Sequence, residues 1–239
     1  MAHGYTPGNL ESNKFAHKKE SYYKGLETIK SLGYSIDEFI HQFPAFTGHM
    51  TLSRFLALYE SYKSTLGVSG HIAEIGVYKG ASLLFFSKLV EIFENQSFTQ
   101  VHGFDWFKGN EPDENESMIE THGYMAEYEQ LMSLIKAQQL EHSTFIHKID
   151  VTKELDAFFG KYPHLQFKLV FFDAGMYQVV KTALPYFRER LTPGGQIIFN
   201  QFNFDVAPGE TKAVKEFLPN AKIRTFPFTW MPTAYIIKE

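Results

Sequence analysis

From Gly70 to the C-terminus, short apolar runs alternate with longer amphipathic segments, and this alternation limits the fold more than any other feature of the chain. The apolar runs lie near 71–76, 101–105, 143–149, 167–173 and 195–200, and helical patterns lie near 80–94, 117–139, 152–160, 176–190 and 209–218. Such alternation is the pattern of a parallel sheet wrapped by helices. The runs LVFF and QIIF are almost wholly apolar, as strands become when both sheet faces are covered. Pro193-Gly194-Gly195 is a turn feeding the fifth run. After Pro219-Asn220, two strands near 222–226 and 234–238 are joined by a loop holding Pro227 and Pro232. The expected class is α/β: a doubly wound, mostly parallel seven-stranded sheet with an antiparallel C-terminal strand.

The first 69 residues read differently. Residues 1–18 are polar and read as a flexible tail. In Lys19 to Leu32, Tyr22, Tyr23, Leu26 and Ile29 recur at helical spacing, and Gly33 ends the helix. A short helix over Ser35 to His41 follows. Phe43 to Met50 holds Pro44 and Gly48 and reads as a loop. From about Thr51 to Leu66, Leu52, Phe55, Leu56, Tyr59 and Tyr62 form one apolar stripe. Residues 19–69 are thus expected to be a helical cap and residues 70–239 the ligand-binding domain. The hydrophobic fraction of 44% supports a sizeable core. A net charge of −4 with no basic stripe argues against a nucleic-acid partner. No apolar run nears the roughly 18 residues needed to span a bilayer, and the N-terminus has no apolar leader. The absence of cysteine excludes disulfides, thiolate metal sites and a cysteine nucleophile, and fits a cytoplasmic protein.

The stretch HIAEIGVYKGAS, His71 to Ser82, reads as strand, glycine turn and helix start. Such a turn leaves backbone N–H groups free for a ligand. The dinucleotide fingerprint G-x-G-x-x-G needs a glycine close to the pyrophosphate. Here Gly76-Val77-Tyr78-Lys79-Gly80 lacks it, and Tyr78 would crowd phosphates. A phosphate-free ligand suits the turn better. S-adenosylmethionine is one, because its cationic amino-acid end matches Glu74. Asp105 ends the second run, where a carboxylate can accept from two ribose hydroxyls. Trp106 and Phe107 can flank an adenine. Asp150 follows the third run and can accept from the adenine amino group; it can equally cap the helix after it. Asp173 ends the fourth. Capping explains any single acid, but explains four at successive strand ends poorly.

These residues resemble those of class I S-adenosylmethionine-dependent methyltransferases. The stretches AEIGVYKGAS (73–82), GFDWFKG (103–109), FFDAGMYQVVKTALPYFRERLTPGG (171–195) and PGETKAVKEF (208–217) resemble the macrocin O-methyltransferase and cephalosporin-hydroxylase-like family. The resemblance implies a Rossmann-like fold and methyl transfer to a sugar hydroxyl. It implies cofactor contacts at Glu74, Gly76, Gly80, Ser82, Asp105, Asp150 and Val151, beside Val77, Tyr78, Trp106, Phe107 and Asp173. His49-Met50-Thr51 resembles an upstream loop that closes over the methionine end, which adds Met50 and Thr51. It also implies a small-molecule acceptor and a homo-oligomer, taken here as a dimer.

The family's site further resembles a magnesium site built from an aspartate after the fourth strand and an acidic pair after the fifth. Asp173 supplies the first, but Asn200-Gln201 stands where the pair is expected. One carboxylate where three are expected argues against bound magnesium at Asp173, Asn200 and Gln201. Asp205 lies further along the same loop. Methyl transfer to a hydroxyl still needs a base. Asp173 is the first candidate, and His122, in the segment after the second strand, is the second. His49, His102 and His147 read more simply as structural. Tyr177 reads equally as a substrate contact or as packing. The acids Glu111, Asp113, Glu114 and Glu116 read as a solvated loop. Two alternatives remain at this level: a hydroxylase or oxidoreductase partner on the same fold, and a non-catalytic cofactor-binding scaffold.

Overall fold

The computed structural model describes residues 12–116 and 119–239. Four helices come first: α1 (Lys19–Ser31), α2 (Ile36–His41), α3 (Phe43–Phe46) and α4 (His49–Ser64). Ser35 and Glu38 close a reciprocal capping box at the start of α2. The segment expected to be a loop forms α3. Pro44 sits in its first turn, where a missing N–H breaks no helical bond. α4 begins at His49, ahead of the expected Thr51. Of the N-terminal stretch read as a tail, residues 1–11 lie outside the described residues. Ser12 is buried, the Asn13 N–H donates to Asp205 Oδ2 (3.2 Å), and Ala16–Lys18 forms a 3-10 turn.

The sheet then builds in order: β1 (His71–Ile75), α5 (Ala81–Phe93), β2 (Val101–Asp105), α6 (Tyr128–Ala137), β3 (Thr144–Lys148), α7 (Leu155–Lys161), β4 (Phe167–Phe172), α8 (Tyr177–Arg190), β5 (Leu191–Phe199), α9 (Gly209–Phe217), β6 (Arg224–Thr225) and β7 (Ala234–Ile237). The strand order is β3-β2-β1-β4-β5-β7-β6, with β1 to β5 parallel. β7 runs antiparallel to β5 and pairs antiparallel with β6. This is the expected Rossmann-like sheet. The chain winds outward from β1 to β3, then returns to place β4 on the other side of β1. Ligands bind at such a reversal, beyond the carboxyl ends of the strands.

Register fixes what that edge presents. Ile75 pairs with Phe104 and Phe172, and Phe172 pairs with Phe199. The next residues, Gly76, Asp105, Asp173 and Asn200, therefore stand in one row across the ends of four strands. Behind the row lie two cores, one per sheet face. Ile75, Phe104, Phe172 and Phe199 pack against α7, α8 and α9, whereas Ile72, Phe171 and Ile198 pack against α4, α5 and α6. Adjacent Phe171 and Phe172 enter opposite cores, as the period of two requires. α4 is thus part of the helix layer on the face it shares with α5.

Of the helix expected over 117–139, residues 117–118 lie outside the described residues, and of the rest only Tyr128–Ala137 is helical. Ahead of it His122 and Tyr124 take left-handed φ of 61° and 58°. The loop folds back so that a Cβ on Gly109 would lie 2.7 Å from the Gly123 carbonyl oxygen. Glu116 anchors this loop: its buried carboxylate accepts the Tyr177 N–H at the start of α8 (2.8 Å). The acids of 111–116 are therefore only partly a solvated loop.

Candidate active site

The turn after β1 is shaped by close approach. Gly76 has φ 87°, and a Cβ there would lie 2.6 Å from Ala174 Cβ. Gly80, at φ 83°, is the N-cap of α5. Tyr78 is itself left-handed at φ 52° and sets its ring edge-on to Tyr124. Asp105 organises the turn. Its Oδ2 accepts the N–H groups of Val77 (2.8 Å) and Tyr78 (2.9 Å), and its Oδ1 accepts that of Phe107 (2.6 Å). One carboxylate thus ties the β1 and β2 turns together, and its oxygens keep acceptor capacity for a ligand.

Glu74 is buried on β1, and its Oε2 has no hydrogen-bond partner among the described residues. Burial, reinforced by the charges of Asp173 and Asp105 and opposed by Arg54, raises its carboxyl well above the usual range. An orphaned buried carboxyl oxygen is rare and calls for a partner. Here it lies behind the ligand edge, where a cationic group would satisfy it.

The other half of the edge is closed by a residue that the sequence did not single out. Arg54, on α4, donates from Nη2 to Asp173 Oδ2 (2.6 Å) and Ser82 Oγ (3.0 Å), and from Nη1 to Asn200 Oδ1 (2.7 Å). Its guanidinium lies 5.2 Å from the Phe171 ring centroid. A signal was present. Arg54 is the only charged residue between Thr51 and Tyr59, one helical turn beyond Met50-Thr51. Burial pushes the Asp173 carboxyl up to about 6, against the pull of Arg54. Its Oδ1 takes no hydrogen bond from the described residues.

The remaining candidates divide. Phe107 is buried, and Trp106 Nε1 donates to the Gly109 carbonyl (2.8 Å). Both line a cavity of about 190 Å³ with Lys108, Tyr128 and Lys148. Asp150 accepts from Thr152 N and Oγ1 and from Lys153 Nζ, so it caps the turn that leads to α7. Val151 packs into the core. Met50 and Thr51 form the first turn of α4, and the Met50 carbonyl accepts from Trp230 Nε1 (3.0 Å). His122 is exposed, with Nδ1 3.4 Å from the Lys108 carbonyl; no hydrogen bond among the described residues links it to Asp173. Tyr177 packs in the core and donates to Glu216 (2.8 Å). Asp205 is exposed and bonds Asn13. Glu210, unnoticed in the sequence, is fully buried and accepts the Gln201 N–H (2.8 Å), and burial pushes its carboxyl up to about 8.

A family model described as a methyltransferase domain matches residues 73–202, more than half of the chain and the whole row of strand ends. The chain belongs to this methyltransferase family. The methyltransferase also superposes on solved structures. The calicheamicin methyltransferase CalS11 aligns at TM-score 0.81 with 22% identity, over 90% of this chain and 91% of that one. A ligand-free structure of CalS11, described as a TDP-rhamnose 3'-O-methyltransferase of calicheamicin biosynthesis, aligns at 0.73 with 22% identity over 90% and 93%. The O-methyltransferase NovP aligns at 0.67 with 14% identity, over 78% and 79%. At these identities the likeness is one of fold. No curated protein matches by sequence.

Two groups implied by the family can be tested against the methyltransferase's own residues. S-adenosylmethionine fits: Glu74 offers an unmatched buried carboxyl oxygen, and Asp105 keeps acceptor capacity. Magnesium does not fit. Its donor set would be one carboxylate and two amides, and Arg54 already lies between Asp173 and Asn200. A dication about 4 Å from that guanidinium would meet repulsion of roughly 8 kcal/mol at an effective dielectric of about 20. Among the described residues, no cluster of three or more histidines and acids could hold a metal.

Proposed function

We propose that the protein is an S-adenosylmethionine-dependent O-methyltransferase acting on a hydroxyl of a small molecule, a sugar or glycosylated natural product. The row of Gly76, Asp105 and Asp173 at the reversal of strand order, backed by the orphaned carboxyl of Glu74, carries this reading. The sugar O-methylation of the CalS11 description supports the acceptor class.

When bound, the cofactor supplies an electrophilic methyl on a sulfonium, whose C–S bond breaks with its pair left on sulfur as the C–O bond forms. The protein's part is to hold and to deprotonate. Asp105 accepts from the ribose hydroxyls, Trp106 and Phe107 flank the base, and Asp150 and Val151 border it. Glu74 balances the cationic end, with Met50, Thr51, Gly80 and Ser82 enclosing it. Asp173 takes the acceptor's proton at Oδ1. Burial raises its carboxyl above the usual aspartate range, towards the basicity that task needs. Holding nucleophile and methyl in line contributes much of the acceleration.

Among the described residues no helix is long and apolar enough to cross a membrane, in keeping with a cytoplasmic enzyme. The exposed apolar side chains of Leu32, Ile36, Ile40 and Phe43 support a homodimer through the N-terminal helices, which light scattering would test. The function is tested by incubating the protein with methyl-labelled S-adenosylmethionine and a panel of nucleotide-linked sugars and glycosides. Label should pass to a hydroxyl of at least one acceptor. Failure to bind S-adenosylhomocysteine would overturn the reading.

A further inference from the structure

We infer that the Arg54 guanidinium is the permanent cation of this site, fixed between Asp173 and Asn200 in place of a divalent metal, and that the reaction proceeds without one. The geometry is that of a built site. One planar fork reaches three oxygens on three elements: Asp173 after β4, Asn200 after β5 and Ser82 in α5. The side chain of Arg54 is only 13% exposed, and its face lies over Phe171. A rigid fork of N–H donors suits such convergent oxygens, whereas a point charge would not reach all three.

The charges match a monocation. Asp173 contributes one negative charge, Arg54 one positive, and the Asn200 amide none, so the cluster is neutral as it stands. An aspartate at 200 would leave it negative and favour a dication. The second amide is directed elsewhere. Gln201 Oε1 lies against Gly175, where a Cβ would come within 2.4 Å of it, and the backbone N–H of Gln201 donates to buried Glu210. The departures from the expected acidic pair and the arginine on α4 are therefore parts of one arrangement. Arg54 acts as a positioning residue. It holds Asp173 through Oδ2 and leaves Oδ1 for the acceptor, and it keeps positive charge beside the oxygen that loses its proton.

The consequence for turnover rests on the methyl-transfer reading, but the cation assignment does not. The test is a Mn2+ titration followed by the electron paramagnetic resonance of the free ion. It is run on wild type, Asn200→Asp/Gln201→Asp and Arg54→Met/Asn200→Asp/Gln201→Asp, with S-adenosylhomocysteine calorimetry on each. Wild type should take up no Mn2+ at about 1 mM, and the triple variant should bind it at least about tenfold more tightly than the double, because a like charge has been removed. Arg54→Lys should stay metal-free while losing turnover that chelators do not affect in wild type. Should the triple variant fail to fold, Arg54→Met/Asn200→Asp takes its place. Stoichiometric Mn2+ uptake by wild type, or turnover abolished by a chelator and restored by Mg2+, would overturn the inference. Loss of S-adenosylhomocysteine binding in wild type would instead count against the methyl-transfer reading and leave the Mn2+ result standing.

Discussion

The two ends of β4 each carry a partly or wholly buried ion pair of the same length, 2.6 Å, and they behave in opposite ways. At the start of the strand, Lys168 bonds Glu94, which also accepts from Tyr62 (2.8 Å) and Thr99 (2.8 Å). Just past its end, Asp173 bonds Arg54. Lys168 is 1% exposed and Glu94 10%, against 13% for Arg54 and 22% for Asp173. Burial pushes Glu94 up, but the donors Lys168, Thr99 and Tyr62 together hold its carboxyl below the usual range. Among the described residues Asp173 has one donor where Glu94 has three, so Arg54 does not offset its desolvation and the carboxyl rises to about 6. The first pair is saturated and serves the fold. The second is left one acceptor short of saturation, beside an orphaned Glu74, and so has capacity left for a ligand.

The comparison breaks most sharply at Asp173. Asp173→Asn should lower methyl transfer by about 10²–10⁴-fold, as removal of a positioned base does, with little change in unfolding temperature. Unchanged turnover would place the base elsewhere, and His122→Ala would then be the next variant to assay. At the other end, Lys168→Met should cost about 3–5 kcal/mol in denaturant unfolding, because Glu94 is left buried without its cation. Binding of S-adenosylhomocysteine should be unaffected, and a parallel loss of ligand would mean that the two ends are not separable.

Glu74→Gln sharpens the contrast. It should weaken S-adenosylhomocysteine binding by at least about tenfold, the worth of one charge-assisted hydrogen bond, while leaving the unliganded fold as stable or more so. The sign follows from the raised carboxyl: the folded state holds the proton more tightly than the unfolded chain, so ionised Glu74 opposes folding as pH rises. A separate effect, confined to acid pH, lies in the core beside β2 and β3. His102 Nδ1 and His147 Nε2 are 3.0 Å apart, and burial lowers the rings to about 3 and about 4. The unfolded chain takes up protons near 6.5 and the folded one does not. Stability should therefore fall as pH drops from 6.5 towards 4, by on the order of 2 kcal/mol per ring at pH 5. His102→Phe should remove about half of that slope in urea titrations, His147 keeping the rest.

What the sequence disclosed follows the same division. The half proposed for the cofactor is local: Glu74, Gly76 and Gly80 lie in one strand-turn-helix, and Asp105 stands in register with Gly76 because β1 and β2 pair. Strand runs and glycine spacing reveal such an arrangement directly. The acceptor half is assembled from afar. Arg54 meets partners 119 and 146 residues away, and nothing in a periodic stripe marks one arginine as turned inward. Asp150 shows that one acid can serve two readings, since its carboxylate caps the turn through Thr152 and Lys153 and, like Asp105, keeps acceptor capacity for a ligand. The helix expected over 117–139 was overextended because its apolar spacing continues through Gly123, where the backbone turns left-handed on either side. Glu116 reads as part of a solvated loop and Glu210 draws no notice, yet each is buried against backbone N–H groups that only the fold brings near.

The central claim is that the carboxyl edge at β1 and β4 holds S-adenosylmethionine. Calorimetric titration of the wild-type protein with S-adenosylhomocysteine, with NADH as the parallel ligand, tests it most directly. The account predicts saturable, stoichiometric binding of S-adenosylhomocysteine and no heat from NADH, because Tyr78 stands where a pyrophosphate would need glycine. Binding of NADH without S-adenosylhomocysteine would contradict it.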